Sequence, residues 1–190
     1  LAMGPDLLLP ELSISELSII VISYNTREMT LACLQSVYDQ TTVPFELIVV
    51  DNASNDGSAE AIAAAFPDVV LSAEADNHGV GPAHEIALKR STAPWLLLLN
   101  PDTVVLDAAL DNLLAFAKET PDAGIWGGRT LYGDNSLNPT SCFARMTLWS
   151  VLCRVAGLNG IFRSSSFFNS EYFGDWDRGS EREVDIVTGC

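Results

Sequence analysis

A chain of 190 residues with 48% hydrophobic and 18% charged content is too apolar for a disordered segment. It is long enough to bury about 70% of its unfolded surface in one α/β domain. No uninterrupted apolar run approaches the ~20 residues of a membrane span. Ten Lys and Arg against twenty-five Asp and Glu leave a formal net charge of −15, a surface that repels phosphate backbones and argues against a nucleic-acid partner.

Cys33, Cys142, Cys153 and Cys190 are scattered, with no CxxC pair and no His cluster beside them. This argues against a zinc site and fits a reducing compartment, leaving one long-range disulfide open. The N-terminus lacks the basic patch, apolar run and small-residue site of a secretory leader. Residues 1–16 are read as an N-terminal extension, 17–130 as an α/β domain and 131–190 as the start of a further region. The chain stops at Cys190, straight after the strand-like Val184 to Val187, and is read as a piece of something longer.

Strand-like and helix-like segments alternate from Leu17 to Arg129. Leu17 to Tyr24 is rich in β-branched residues and predicts a buried strand. Asn25, with Glu28 three residues on, is placed to cap a helix carrying Leu31, Leu34 and Tyr38 on one face. Phe45 to Val50 predicts a second strand, Ser58 to Phe66 an Ala-rich helix stopped by Pro67, and Val69 to Leu71 a short third strand. Pro82 suits the first turn of a third helix, bounded by Pro94. Trp95 to Leu99 reads as a strand buried on both faces, Leu110, Leu113, Leu114 and Ala117 mark an amphipathic helix, and Gly124 to Gly128 a weak fifth strand. This rhythm predicts a three-layer α/β/α fold around a mostly parallel sheet, whose ligands gather at the carboxyl ends of the strands. Beyond Arg129 the rhythm breaks. Met146 to Ala156 is helical in pattern. Leu148 to Phe162 is read first as a helix packed on the sheet, with contact to a membrane surface as the alternative.

Three polar clusters follow three of the strands: Ser23-Tyr24-Asn25, Asp51 through Ser58, and Asn100-Pro101-Asp102. Asn25 is either a cap or a ligand contact, and Asp56-Gly57-Ser58 reads as turn and cap chemistry. Asp51 is different, because an acid directly after Leu47 to Val50 gains nothing from the core. Its carboxylate suits a ring N–H or a ribose hydroxyl. Asp102, with Asp107 better placed to cap the next helix, suits a hard cation such as Mg²⁺ or Mn²⁺. His78-Gly79-Val80-Gly81-Pro82 lacks the third glycine of a dinucleotide fingerprint, and no P-loop occurs. Gly79 and Gly81 still permit close approach of a ligand to the backbone.

Taken in order, Ile20 to Asn25, Val49 to Ser58, Asn77 to Gly81 and Leu98 to Asp102 resemble a family 2 glycosyltransferase of the GT-A (Rossmann-like) fold, of the rhamnosyltransferase-like kind. The resemblance implies a UDP- or dTDP-sugar donor, a divalent cation (Mg²⁺ or Mn²⁺), inversion at the anomeric carbon and a glycan or lipid-linked acceptor. On it, Tyr24, Asn25, Asp51, Asn52, Asn77, Gly79, Gly81, Asn100 and Asp102 line the donor site, and Asp102 holds the metal. Asn52 replaces the second acid found in many members, and Asn100 replaces the first acid of the Asp-x-Asp motif. Residues 17–130 then become the donor-binding domain and 131–190 the start of an acceptor-side region. The family's general base lies downstream of the segment resembling Val187-Thr188-Gly189, which places it beyond Cys190. Asp175, Asp177, Glu181, Glu183 and Asp185 read as a solvated loop. The expected setting is cytoplasmic, at the inner face of the plasma membrane, with peripheral membrane association of the full-length protein. A non-catalytic nucleotide-binding module of the same fold is the alternative.

Overall fold

The computed structural model describes residues 15–188. The chain divides into two compact units, Leu1–Asp107 and Ala108–Cys190, whereas the sequence suggested a boundary near residue 130.

The first unit runs β1 (Leu17–Ser23), α1 (Arg27–Gln40), β2 (Phe45–Asp51), α2 (Ser58–Ala65), β3 (Val70–Ala73), α3 (Val80–Leu88) and β4 (Trp95–Leu99). Its four strands form one sheet in the order β3-β2-β1-β4, and every pairing is parallel. The chain steps outward from β1 to β3, then returns across the sheet to place β4 on the far side of β1. Right-handed crossovers therefore put α1 and α2 on one face and α3 on the other. Side-chain alternation agrees. Ile20, Ile48 and Val50 pack with Ala83 and Ala87 of α3, where two alanines four residues apart let the helix lie close. Ile19, Val21, Leu47 and Val49 point the opposite way and are equally buried, as are Cys33, Leu34 and Val37 of α1 and Ile62 of α2. This is the three-layer GT-A arrangement predicted from the sequence.

At the amino-terminal edge of the sheet, Glu46 ties three segments together. It accepts hydrogen bonds from the Ser18 hydroxyl, from the Thr92 amide and hydroxyl, and from the Ala93 amide at 3.0 Å. Burial by itself would raise the Glu46 carboxyl. The bonds from Ser18, Thr92 and Ala93 outweigh it and hold the group below the ordinary carboxylate range.

Two strand expectations are corrected. The β4 strand is not buried on both faces: among the described residues it lies at the edge beside β1, and α3 covers the sheet face over β1 and β2, so Leu96 and Leu98 are 50% and 56% exposed. A run of apolar residues reads as a central strand, but position in the sheet decides burial, and β1 and β2 are the buried pair. Nor is Gly124 to Gly128 a strand, since three glycines in five residues offer little side chain to pack and much backbone freedom to lose.

The second unit holds α4 (Ala109–Glu119), the short antiparallel pair β5 (Cys142–Phe143) and β6 (Ile186–Val187), and α5 (Leu148–Val155) followed by α6 (Leu158–Ile161). Gly127 earns its place here, because a Cβ on it would lie 2.5 Å from Cγ1 of Val187. A reciprocal capping box between Thr147 and Ser150 starts α5. The N-cap residue of α4 is Ala108, at φ 52°, rather than the expected Asp107. The N-terminal extension to residue 14, Gly189 and Cys190 lie outside the described residues.

Candidate functional site

All four strands of the first unit are parallel, so the loops that follow them emerge on one edge. The strand order reverses between β1 and β4, which opens the crevice where α/β sheets bind ligands. The ladder continues into these loops through Asn52 N–H to the Ser23 carbonyl at 2.8 Å and Glu74 N–H to the Asp51 carbonyl at 2.9 Å.

Asp51 ends β2, opposite Ser23 in register, and is 2% exposed. Its Oδ1 accepts from the Ser54 amide at 2.9 Å. Its Oδ2 is buried and has no hydrogen-bond partner. A buried carboxylate oxygen without a donor costs free energy, and its place at the carboxyl edge of the sheet suits a donor from a ligand.

Asn25 takes a left-handed conformation at φ 52° and pins the first loop to the second. Its amide donates to Ser54 Oγ at 2.9 Å, and its Oδ1 accepts from the Asn55 amide at 2.8 Å. It does not cap α1, which begins at Arg27 with Thr26 as the N-cap residue. The cap comes from the neighbouring loop, after β2. Asp56 Oδ2 accepts from the Arg27 amide at 3.0 Å, while its Oδ1 accepts from the Ser58 amide at 3.0 Å at the start of α2. The Ser58 hydroxyl and the Arg27 amide together hold the Asp56 carboxyl below its usual range. The cap reading of Asp56-Gly57-Ser58 holds, and it extends to a second helix.

Asn52 is buried and reaches the third loop. Its Oδ1 accepts from the His78 amide at 2.9 Å, and its Nδ2 donates to Asn77 Oδ1 at 2.9 Å and to the Gly79 carbonyl at 3.5 Å. Asn77 Oδ1 also accepts from the Gly79 amide at 2.8 Å. Gly79 sits at φ 78°, a conformation costly for any residue with a Cβ. A carboxylate at position 52 would meet Asn77 Oδ1 without a proton to donate, so the amide accounts for this departure from the acidic pattern. Gly81 lies in the first turn of α3, with open space where a Cβ would stand.

Tyr24, Asn100 and Asp102 are exposed at the same edge. Because β1 separates β2 from β4, the ends carrying Asp51 and Asp102 stand two strand spacings apart, about 10 Å. Cys33, which sequence reasoning did not connect to this edge, lies beneath the last loop. Its thiol donates to the Asn100 carbonyl at 3.5 Å. Burial, with the Asp102 charge adding to it, pushes the Cys33 thiol up to about 12. Only its spacing with Leu34 and Val37 on the inner face of α1 signalled burial. A shallow hollow of about 590 Å³, lined by Arg27, Ser54, Asn55, Gly57 and Glu60 among others, flanks the second loop and includes neither Asp51 nor Asp102.

Among the described residues no three His, Cys, Asp or Glu side chains converge on one point. A cation at Asp102 therefore needs further oxygen ligands from elsewhere. Mg²⁺ and Mn²⁺ fit that donor set, since such ions take one or two carboxylates and complete their shell with phosphate and water.

A parallel α/β sheet with polar loops along the carboxyl edge of its strands is a scaffold of the class whose ligands gather at that edge. The chain belongs to glycosyl transferase family 2, whose model matches residues 18–168. It is 31% identical over 106 residues to an uncharacterized glycosyltransferase of Haemophilus influenzae, covering 56% of this chain and 36% of that one. It is 27% identical over 176 residues to a PGL/p-HBAD biosynthesis glycosyltransferase of Mycobacterium tuberculosis, covering 84% of this chain and 66% of the relative. The crystal structure of S. aureus TarS superposes with a TM-score of 0.52 at 24% identity, over 70% of this chain and 25% of TarS, which bears on the fold alone. The chain thus spans about a third of the length of the Haemophilus relative.

Proposed function

We propose that this chain is the donor-binding part of an inverting, metal-assisted glycosyltransferase of rhamnosyltransferase-like kind. It takes a UDP- or dTDP-sugar and serves transfer to a glycan or lipid-linked acceptor in cell-wall or polysaccharide synthesis. The observation that carries the reading is Asp51 Oδ2, a buried acceptor without a partner at the carboxyl edge of the sheet. In this reading it accepts a hydrogen bond from the base or ribose of the donor, and the exposed Tyr24 ring lies along the nucleoside. Asn25 and Asn52 act by holding the loops: the first joins those after β1 and β2, the second fixes residues 77–79. The backbone at Gly79 and Gly81 leaves room for the sugar diphosphate.

Asp102 supplies the protein's oxygen donor for Mg²⁺ or Mn²⁺, and Asn100 lies beside it in the same loop. When bound, the cation offsets the diphosphate charge and stabilises it as leaving group. The need is acute in a chain of net charge −15, where like charges oppose a polyanionic donor. The base that deprotonates the acceptor is assigned to no residue of this chain. Donor binding with little or no transfer is therefore the expected behaviour. Among the described residues no helix is long and apolar enough to cross a membrane. A cytoplasmic-side protein associating peripherally with the membrane suits a lipid-linked acceptor. Calorimetric titration of UDP- and dTDP-sugars, with and without Mn²⁺, tests the proposal. Metal-enhanced binding of at least one donor is expected, and absence of binding by every nucleotide sugar would overturn it.

A further inference from the structure

The most apolar stripe of α5 faces outward. Leu148, Val151, Leu152 and Val155 recur at helical spacing, and Leu148, Leu152 and Val155 are 86%, 60% and 84% exposed. The inward face of the same helix carries Ser150 and Cys153 instead. Beside it, Ile161 and Phe167 are also exposed. Trp149 ties the stripe to this neighbouring segment: its indole Nε1 donates to the Phe167 carbonyl at 2.8 Å, and its ring lies 4.9 Å from that of Phe167. The packed side of α5 is thus its small residues, Ser150 and Cys153, while its leucines are left exposed.

Charge separates this surface from the rest of the molecule. Between Asp134 and Glu171 the sequence contains no acid, although the chain has twenty-five, and it contains three of the ten cationic residues, Arg145, Arg154 and Arg163. Arg154 is paired with Glu171, while Arg145 and Arg163 are exposed. The carboxylates of Glu171 and Asp185 fold back onto this stretch, against the Arg154 side chain and the Arg145 amide, which leaves the exposed Arg145 and Arg163 side chains to attract an anionic surface. Leucine, tryptophan and phenylalanine flanked by arginine form the composition that lies in a bilayer interface.

We propose that the exposed stripe of α5, with Ile161 and Phe167, docks onto an anionic lipid surface. This gives the membrane association proposed above a location and rests on that reading. Donor titration probes different residues, so each can fail without the other. The apolar side chains enter the headgroup boundary, while Arg145 and Arg163 meet lipid phosphates. Attachment is peripheral and weakens with salt.

The test is co-sedimentation of the chain with vesicles of equal parts phosphatidylglycerol and phosphatidylethanolamine, and with pure phosphatidylcholine. Binding to the anionic vesicles is expected to exceed that to phosphatidylcholine. Leu148→Ser combined with Leu152→Ser should lower it about 10-fold or more. Both sites are exposed, and an unchanged circular dichroism spectrum verifies folding. Arg145→Glu with Arg163→Glu should remove the preference for anionic lipid. Failure to bind either vesicle, or binding indifferent to both double variants, would overturn the proposal. So would sedimentation velocity showing a lipid-free dimer dispersed by the serine variant, which would assign the stripe to a second copy of the chain.

Discussion

Replacing Asp51 with Asn is nearly isosteric and separates a ligand-facing role from a structural one. The amide oxygen keeps the acceptor that receives the Ser54 N–H at 2.9 Å, while the unpartnered Oδ2 becomes an NH₂ that cannot accept. A hydrogen bond to a charged acceptor contributes about 1.5–3 kcal/mol. Nucleotide affinity should therefore fall about 10- to 150-fold. The unliganded protein should not suffer, since the substitution removes a charge buried at 2% exposure with one of its oxygens unsatisfied. Its melting temperature should stay level or rise. Calorimetry with UDP and dTDP gives the first quantity, and thermal unfolding monitored by circular dichroism gives the second. Unchanged affinity together with a lowered melting temperature would refute the reasoning, because Asp51 would then serve the fold and not a ligand.

Three further outcomes are expected. Asp102→Ala should abolish the Mn²⁺-dependent part of donor binding and leave the melting curve in place, as seen by titration with and without metal; retained metal dependence would count against Asp102 as ligand. Glu46→Ala should destabilise the first unit by about 1–3 kcal/mol in urea unfolding, because it removes the acceptor of the Ser18 hydroxyl and of the Thr92 amide, while the Ala93 amide keeps only Ser18 Oγ. Since Glu46 is held below its usual range, its contribution is present above pH ~4.3 and lost as pH falls through the folded value. The Glu46→Gln variant should flatten that acid limb. Cys33, pushed up to about 12, should resist thiol reagents at pH 8 until the chain unfolds. Its burial as a neutral thiol contributes stability in full below pH ~8.5, lost as pH rises toward about 12. Rapid labelling of Cys33 in the folded protein, located by peptide mass, would contradict this.

The alternation of β-branched runs and amphipathic stretches announced the parallel sheet, because parallel strands are written as local apolar runs and each is followed by its own polar loop. The positions of Asp51, Asn77 and Asp102 along the chain were legible for the same reason. Their partners were not. Asn52 meets residues 77–79 across 25 to 27 positions, and Asp56 caps a helix that begins 29 residues earlier. Side-chain bonds of that span leave no periodicity to read.

The sequence by itself determined the number and order of the elements in the first unit and which loops carry oxygen-bearing side chains, since those follow from local pattern. Tertiary structure alone decided that β4 lies at an edge, that the Asn52 amide is spent on the third loop while Asp51 keeps one oxygen unmet, and that α5 turns its leucines outward. Periodicity defines a stripe, but only the arrangement of distant segments determines what that stripe faces.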